Sequence, residues 1–182
     1  MKELSLNILD IAMNSVKARA QTVDLVIRES KERLTFSVTD DGCGMTADVL
    51  AQVTDPFCTT RKTRKVGLGL PLLKMTAQAT GGDFAIDSEI GKGTTVTVSF
   101  GLDHLDRPPM GDVPGTLFTL VFMNTAIDFR FVYDYDGTNF TFDTREIREA
   151  VAPIPLDTPE ISAWIKDCLY QEITQLHGGL FS

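Results

Sequence analysis

The chain has 182 residues, 43% of them hydrophobic and 23% charged, the balance of a soluble globular protein with room for one medium domain and a small one. A formal charge of −8 and a sequence pI near 4.7 disfavour DNA or RNA as a partner. No apolar run reaches the roughly 18–20 residues of a membrane helix, the start lacks a signal-peptide layout, and a cytoplasmic address is expected.

In chain order, residues 3–20 read as a largely buried helix, with Leu6, Leu9, Met13 and Val16 at three- and four-residue intervals. Asp10, Asn14 and Lys17 fall at i, i+4 and i+7 and form one polar stripe that needs a partner. Strands follow from period-two alternation at Val23, Leu25, Ile27 and at Leu34, Phe36, Val38. A short helix near 46–53 and a second near 70–80, closed by Gly81-Gly82, precede two more strands, Phe84–Ile86 and Val96–Phe100. Residues 101–115 carry the Pro and Gly of a linker, and 117–122 and 126–133 read as strands with Asn124 as the turn between them. Asp136-Gly137 marks a hairpin into Phe140–Phe142. Thr144 is expected to cap a helix through Val151, and Thr158-Pro159 opens another. In that last helix Ile161, Trp164, Ile165, Cys168, Leu169, Ile173 and Leu176 form the apolar stripe. The expected class is α+β, a two-layer α/β sandwich with a small C-terminal α/β appendage: 1–101, a linker 102–115, and 116–182.

Three odd cysteines without a C-x-x-C pair, and two histidines far apart, argue against a disulfide framework or a zinc site. The chemistry sits elsewhere. Asp40-Asp41-Gly42-Cys43-Gly44-Met45 follows a strand end, where an aspartate can accept from an exocyclic amine such as that of adenine. Taken alone, this D-x-G-x-G is better read as a plain turn. Gly67-Leu68-Gly69-Leu70 feeds a helix N-terminus, a suitable phosphate cradle or simply a tight helix entry. Gly91-Lys92-Gly93-Thr94 is accounted for by turn chemistry, with a hydroxyl to spare. Asp55-Pro56-Phe57-Cys58-Thr59-Thr60-Arg61-Lys62, continuing into more cations, has the character of a lid that carries positive charge over phosphates.

Together and in this order, D-x-x-x-N, D-x-G-x-G, D-P-F-x-T-T-R, G-L-G-L and G-K-G-T resemble the boxes of the GHKL superfamily, which includes DNA gyrase, histidine kinases, a heat-shock chaperone family and MutL. The resemblance spans about residues 4–100. It implies the Bergerat-type ATP-binding sandwich, with ATP and Mg²⁺ as cofactors. By motif match it makes Asn14 the Mg²⁺ ligand, Lys17 a phosphate contact and Asp40 the reader of the adenine amine. Gly42 and Gly44 would admit the base and Met45 would pack near it. The amides of Gly67, Leu68 and Gly69 would wrap the phosphates, Thr94 would assist near the base, and Thr60, Arg61 and Lys62 would serve from the lid.

Asp10 stands where the mismatch-repair and topoisomerase branch has a water-activating glutamate; it is one methylene shorter, and support of the magnesium shell is an equal reading. The lid and glycine box instead look like the histidine-kinase branch. No phosphoacceptor hairpin or sensor segment precedes the first box, so a complete sensor kinase is not expected. What the resemblance implies is a histidine-kinase-like phosphotransferase acting on a partner protein, with a slow ATPase switch or a non-catalytic, anti-sigma-like accessory module as alternatives. The whole chain also resembles small ATP-binding proteins that accompany redox complexes, which suggests a phosphoacceptor or redox-complex subunit as partner. A homodimer fits the superfamily, although no coiled-coil heptads are present.

Overall fold

The structure, a computed structural model, describes residues 3–54, 69–102 and 104–178. In chain order the elements are α1 Leu4–Lys17, β1 Thr22–Glu29, β2 Arg33–Asp40, α2 Ala47–Val53, α3 Gly69–Ala79, β3 Phe84–Glu89 and β4 Gly93–Gly101. They continue with α4 Val113–Met123, β5 Asp128–Tyr135, β6 Thr138–Asp143, α5 Thr144–Val151 and α6 Pro159–Leu176. The six strands form one mixed sheet in the order β3-β4-β2-β1-β5-β6, antiparallel except for the parallel pair β1–β5. This is an α+β sandwich of the expected class.

Alternation within each strand becomes an apolar layer once the register is set. Ile86, Val96, Val38, Leu25, Phe131 and Phe142 stand side by side across all six strands. Phe84, Val98, Phe36, Ile27, Tyr133 and Phe140 make the next row. The other face carries Asp24, Arg28, Thr35, Ser37, Thr39, Thr95 and Thr97, so only one face is apolar. Leu4, Ile8, Ile11 and Ala12 of α1, Leu73 and Ala77 of α3, Leu117 and Leu120 of α4, and Ile165, Leu169 and Ile173 of α6 join the buried core. Strands β5 and β6 belong to the same sheet, so the segment after the Pro-Gly stretch lies alongside β1 along its length.

Several expectations are corrected. Residues 117–122 are not a strand but the body of α4. A short apolar run rich in Phe and Thr is ambiguous in period. Here Asp112 decides it by accepting from the Gly115 N–H at 2.9 Å, with Pro114 in the first turn. Residues 113–115 of the expected linker are therefore helical, and Asn124 is the C-cap of α4. On α1 the buried stripe is Leu4, Ile8, Ile11, Ala12 and Ser15, whereas Leu6 is exposed and Leu9 and Met13 only half-buried. The cap of α5 is Asp143, which accepts from the Arg145 N–H; Thr144 is buried and its hydroxyl accepts from the Phe129 N–H at 2.9 Å. Trp164 leaves the apolar stripe of α6 and is 53% exposed.

The end of α6 is tied to the sheet by a polar cluster. Tyr133, buried on β5, donates to Glu29 Oε2 at 2.8 Å, and His177 Nε2 lies 2.8 Å from the same hydroxyl, with the Tyr135 ring 4.4 Å away. Burial lowers the His177 pKa from its ordinary value, partly opposed by the Glu29 charge. A histidine whose folded pKa lies below the unfolded one contributes stability above the unfolded value near 6.5, and loses it as pH falls toward the folded value. Urea unfolding midpoints are expected to decline below about pH 6.5. In His177→Gln that decline flattens; an unchanged slope would show that His177 does not set it.

Candidate functional site

The third row of the sheet's inner face breaks the apolar rule. By register, Ser88, Thr94 and Asp40 stand beside Val23 and Phe129, in positions where alternation calls for apolar groups. Inward-facing polar groups at the end of a sheet are costly unless satisfied. These are. Asp40 is 8% exposed, and its Oδ1 accepts from the Gly42 and Thr94 N–H groups at 2.9 and 3.2 Å. Its Oδ2 accepts from the Ser15 hydroxyl of α1 at 2.5 Å. An ionised carboxylate offers about four acceptor positions, so one remains on Oδ2.

The 40–45 segment is strapped from both sides. Asp41 Oδ1 takes the Gln21 and Thr22 N–H groups at 2.7 and 2.9 Å, and the Cys43 N–H donates to the Ala18 carbonyl at 2.9 Å. On the other side the Cys43 carbonyl accepts from Gly91 N–H at 2.9 Å, and Met45 N–H donates to Ser88 Oγ at 2.9 Å. Ser88 Oγ in turn reaches the Gly93 carbonyl at 3.0 Å and Thr94 Oγ1 at 2.8 Å. Gly44 has φ +65°, and a side chain there would run into the Glu89 carbonyl; at Gly42 one would meet Ala18. Both glycines are therefore required by the protein's own packing.

Above this floor lies a cavity of about 630 Å³. Val38, Val96 and Ile86 of the sheet, Val49 and Val53 of α2, and Leu70 of α3 supply an apolar wall. The stripe Asp10, Asn14 and Lys17 runs along the α1 side, with Asn14 and Lys17 exposed. The stripe thus faces the cavity. An apolar slot with a few convergent polar groups is the usual form of a small-molecule site.

Of the sequence candidates, Asp10, Asn14, Lys17, Asp40, Gly44, Met45 and Thr94 line one cavity. Gly42 sits beneath Asp40 without lining it. Gly69 is the first residue of α3 and abuts the Asp10 carboxylate closely enough that a side chain there would collide with it. Thr60, Arg61, Lys62, Gly67 and Leu68 lie outside the described residues. Ser15 and Ser88 were missed. Ser88 continues the Phe84, Ile86 alternation, and Ser15 lies one residue from Asn14 on the buried stripe of α1.

A sandwich with a polar inner corner that opens into a mixed apolar and polar slot has the form of a small-molecule binding domain. Comparison with known proteins supplies the family. The sequence profile of the Histidine kinase-, DNA gyrase B-, and HSP90-like ATPase family matches residues 1–104, and the chain belongs to that family. ATP binding is the function this membership carries. The chain is 41% identical over 81 residues to the sensor histidine kinase WalK of Bacillus subtilis (strain 168), covering 42% of this chain and 13% of that protein. It is 31% identical over 106 residues to the sensor histidine kinase ZraS of Escherichia coli (strain K12), covering 57% of this chain and 23% of the relative. The chain thus spans under a quarter of the length of these two relatives. The crystal structure of the N terminal domain of a DNA repair protein superposes with a TM-score of 0.53 at 16% identity, covering 78% of this chain and 52% of that one. That likeness is one of fold, and it extends beyond the stretch matched by the family profile. Among the described residues, no helix is long and apolar enough to cross a membrane.

Proposed function

We propose that the chain binds Mg²⁺-ATP in this cavity and acts as the catalytic half of a histidine-kinase-type phosphotransferase on a partner protein. The observation that carries the reading is the buried Asp40 carboxylate, with three of its acceptor positions filled by the fold and one left. An amino group such as that of adenine fits the remaining position. The apolar wall suits the faces of the base. Asn14 and Lys17, one helical turn apart on α1, suit the phosphate end.

Among the described residues no three His, Cys, Asp or Glu groups gather as a protein-only metal site. A magnesium ion held through Asn14 therefore needs phosphate oxygens and waters to complete its shell, as is usual for Mg²⁺ with a nucleotide. Bound there, it would offset charge on the phosphates. The protein's share is positioning: Asp40 fixes the base, Asn14 and Lys17 the phosphate end, and α1 holds all three in one frame through the Ser15 hydrogen bond.

A second reading has its own observation. Asp10 lines the cavity beside Gly69 at the start of α3, a place from which a carboxylate can orient water for a slow ATPase. Incubation with Mg²⁺ and γ-labelled ATP, with and without lysate of the source cells, separates the two. Label on a protein band with little free phosphate supports phosphotransfer. Accumulating free phosphate that Asp10→Asn lowers by about a hundredfold supports the switch. Asn14→Ala is expected to remove either signal, and a signal untouched by Asn14→Ala refutes the assigned site.

A further inference from the structure

The net charge is unevenly placed. Residues 1–101 carry twelve Lys and Arg against twelve Asp and Glu, whereas residues 102–182 carry five against thirteen. The whole excess of negative charge therefore belongs to the segment of α4, β5, β6, α5 and α6. Most of its few cations are already engaged: Arg145 with Asp143 at 2.6 Å, Arg148 with Asp128 at 3.0 Å and Arg130 with Asp24 at 3.7 Å. Lys166 stands 5.9 Å above the Phe118 ring.

Within this acidic segment the outer face of α6 has a particular make-up. Its inner stripe, Ser162, Ile165, Leu169 and Ile173, is buried. Glu160, Trp164, Asp167 and Gln171 follow one another at helical spacing on the outer side, and all four are exposed. Trp164 is 53% exposed and stacks on no ring among the described residues. Among the described residues neither Glu160 nor Asp167 has an ion-pair partner.

Helices α4 and α6 run antiparallel, since Tyr170 bonds Asp112 while Lys166 covers Phe118. Phe122 and Met123, 47% and 68% exposed at the end of α4, therefore fall at the same end of the pair as Glu160 and Trp164. A half-exposed tryptophan flanked along the helix by carboxylates that pair with no cation among the described residues has the composition of an interface anchor with a charged rim.

We infer that this face of α6 is a docking surface for a partner protein that presents an apolar pocket rimmed by Lys and Arg. Charge selects the occupant. An anionic membrane or a nucleic acid is repelled by a segment with eight unbalanced negative charges, as is a second copy of the same acidic face. The surface is independent of the phosphotransfer reading, because it needs no nucleotide and shares no residue with the cavity.

Trp164 is the sole tryptophan of the chain, so its emission reports on this face alone. The full chain is titrated with an amphipathic Lys/Leu helical peptide of about 18 residues, and separately with its Glu/Leu counterpart. The expected result is a saturable blue shift with the Lys/Leu peptide that weakens as salt is raised, and none with the Glu/Leu peptide. Glu160→Lys with Asp167→Lys is expected to weaken binding by about tenfold or more. Glu146→Lys with Glu149→Lys on α5, the same change in net charge, leaves it within about twofold. Trp164→Ala, followed by anisotropy of a labelled peptide, loses binding, whereas Asn14→Ala retains it. No shift with the basic peptide, equal shifts with both peptides, equal losses in the two charge reversals, or binding to anionic vesicles would each overturn the assignment.

Discussion

Asp40→Asn is expected to weaken ATP binding by about ten- to a hundredfold while leaving the fold intact. The range comes from a hydrogen bond to a charged group, worth about 1.5–3 kcal/mol, at 1.4 kcal/mol per factor of ten. The asparagine has one orientation open to it. Its carbonyl oxygen must take the place of Oδ1, because the Gly42 and Thr94 N–H groups would otherwise lose their acceptor in a buried site. Its amide nitrogen then replaces Oδ2, where it can donate to the Ser15 hydroxyl oxygen but can no longer accept from the base. A donor now faces the amino group of adenine. The same logic gives the control. Inosine triphosphate carries an oxygen in place of that amino group, so the wild-type carboxylate repels it and the variant amide can donate to it. Isothermal titration with both nucleotides should show ATP affinity falling and inosine triphosphate affinity holding or rising. Equal losses for the two would mean that Asp40 acts through the loop and not on the base.

This position also shows what the sequence could and could not disclose. The alternation of Leu34, Phe36 and Val38 continues to Asp40, and that of Val98 and Val96 runs back to Thr94; polar residues in apolar phase already mark a site there. Ser88 obeys the same rule after Phe84 and Ile86, but short strands ending in a hairpin leave the phase of a last serine uncommitted until pairing is known. Asp10, Asn14 and Lys17 were legible as a stripe because helical spacing is local. Ser15 was hidden because its role depends on a partner 25 residues away. The tail was harder still. The parallel pairing of β1 with β5 joins segments about a hundred residues apart, and neither strand carries a local mark of it. Helix α4 was obscured by Phe118, Thr119, Val121 and Phe122, residues common in strands, although Asp112 and Pro114 held the correct signal.

Within the Gly91-Lys92-Gly93 turn, two alanine substitutions are expected to differ sharply in cost. Both glycines have positive φ, +77° and +103°. At Gly91 a methyl group meets nothing within 4 Å, so Gly91→Ala bears only the backbone penalty of about 1–2 kcal/mol. At Gly93 the methyl would overlap the Asp40 carbonyl and lie 2.9 Å from Asp41 Cα, main-chain atoms that no rotamer change can move. Gly93→Ala is therefore expected to exceed about 3 kcal/mol, as overpacking against backbone adds to the strain. The strand end that has to yield is the one that aims the Asp40 carboxylate, so nucleotide affinity should fall with stability in Gly93→Ala and hold in Gly91→Ala. Urea unfolding of both variants at matched m-values, with an ATP titration of each below its transition, reads both quantities. If Gly93→Ala proved as mild as Gly91→Ala, the close contact between the β4 turn and the Asp40 strand would not exist in solution. The strapping of the cavity floor would then lose its basis, because the same turn carries Gly91 and Gly93, which bond Cys43 and Ser88.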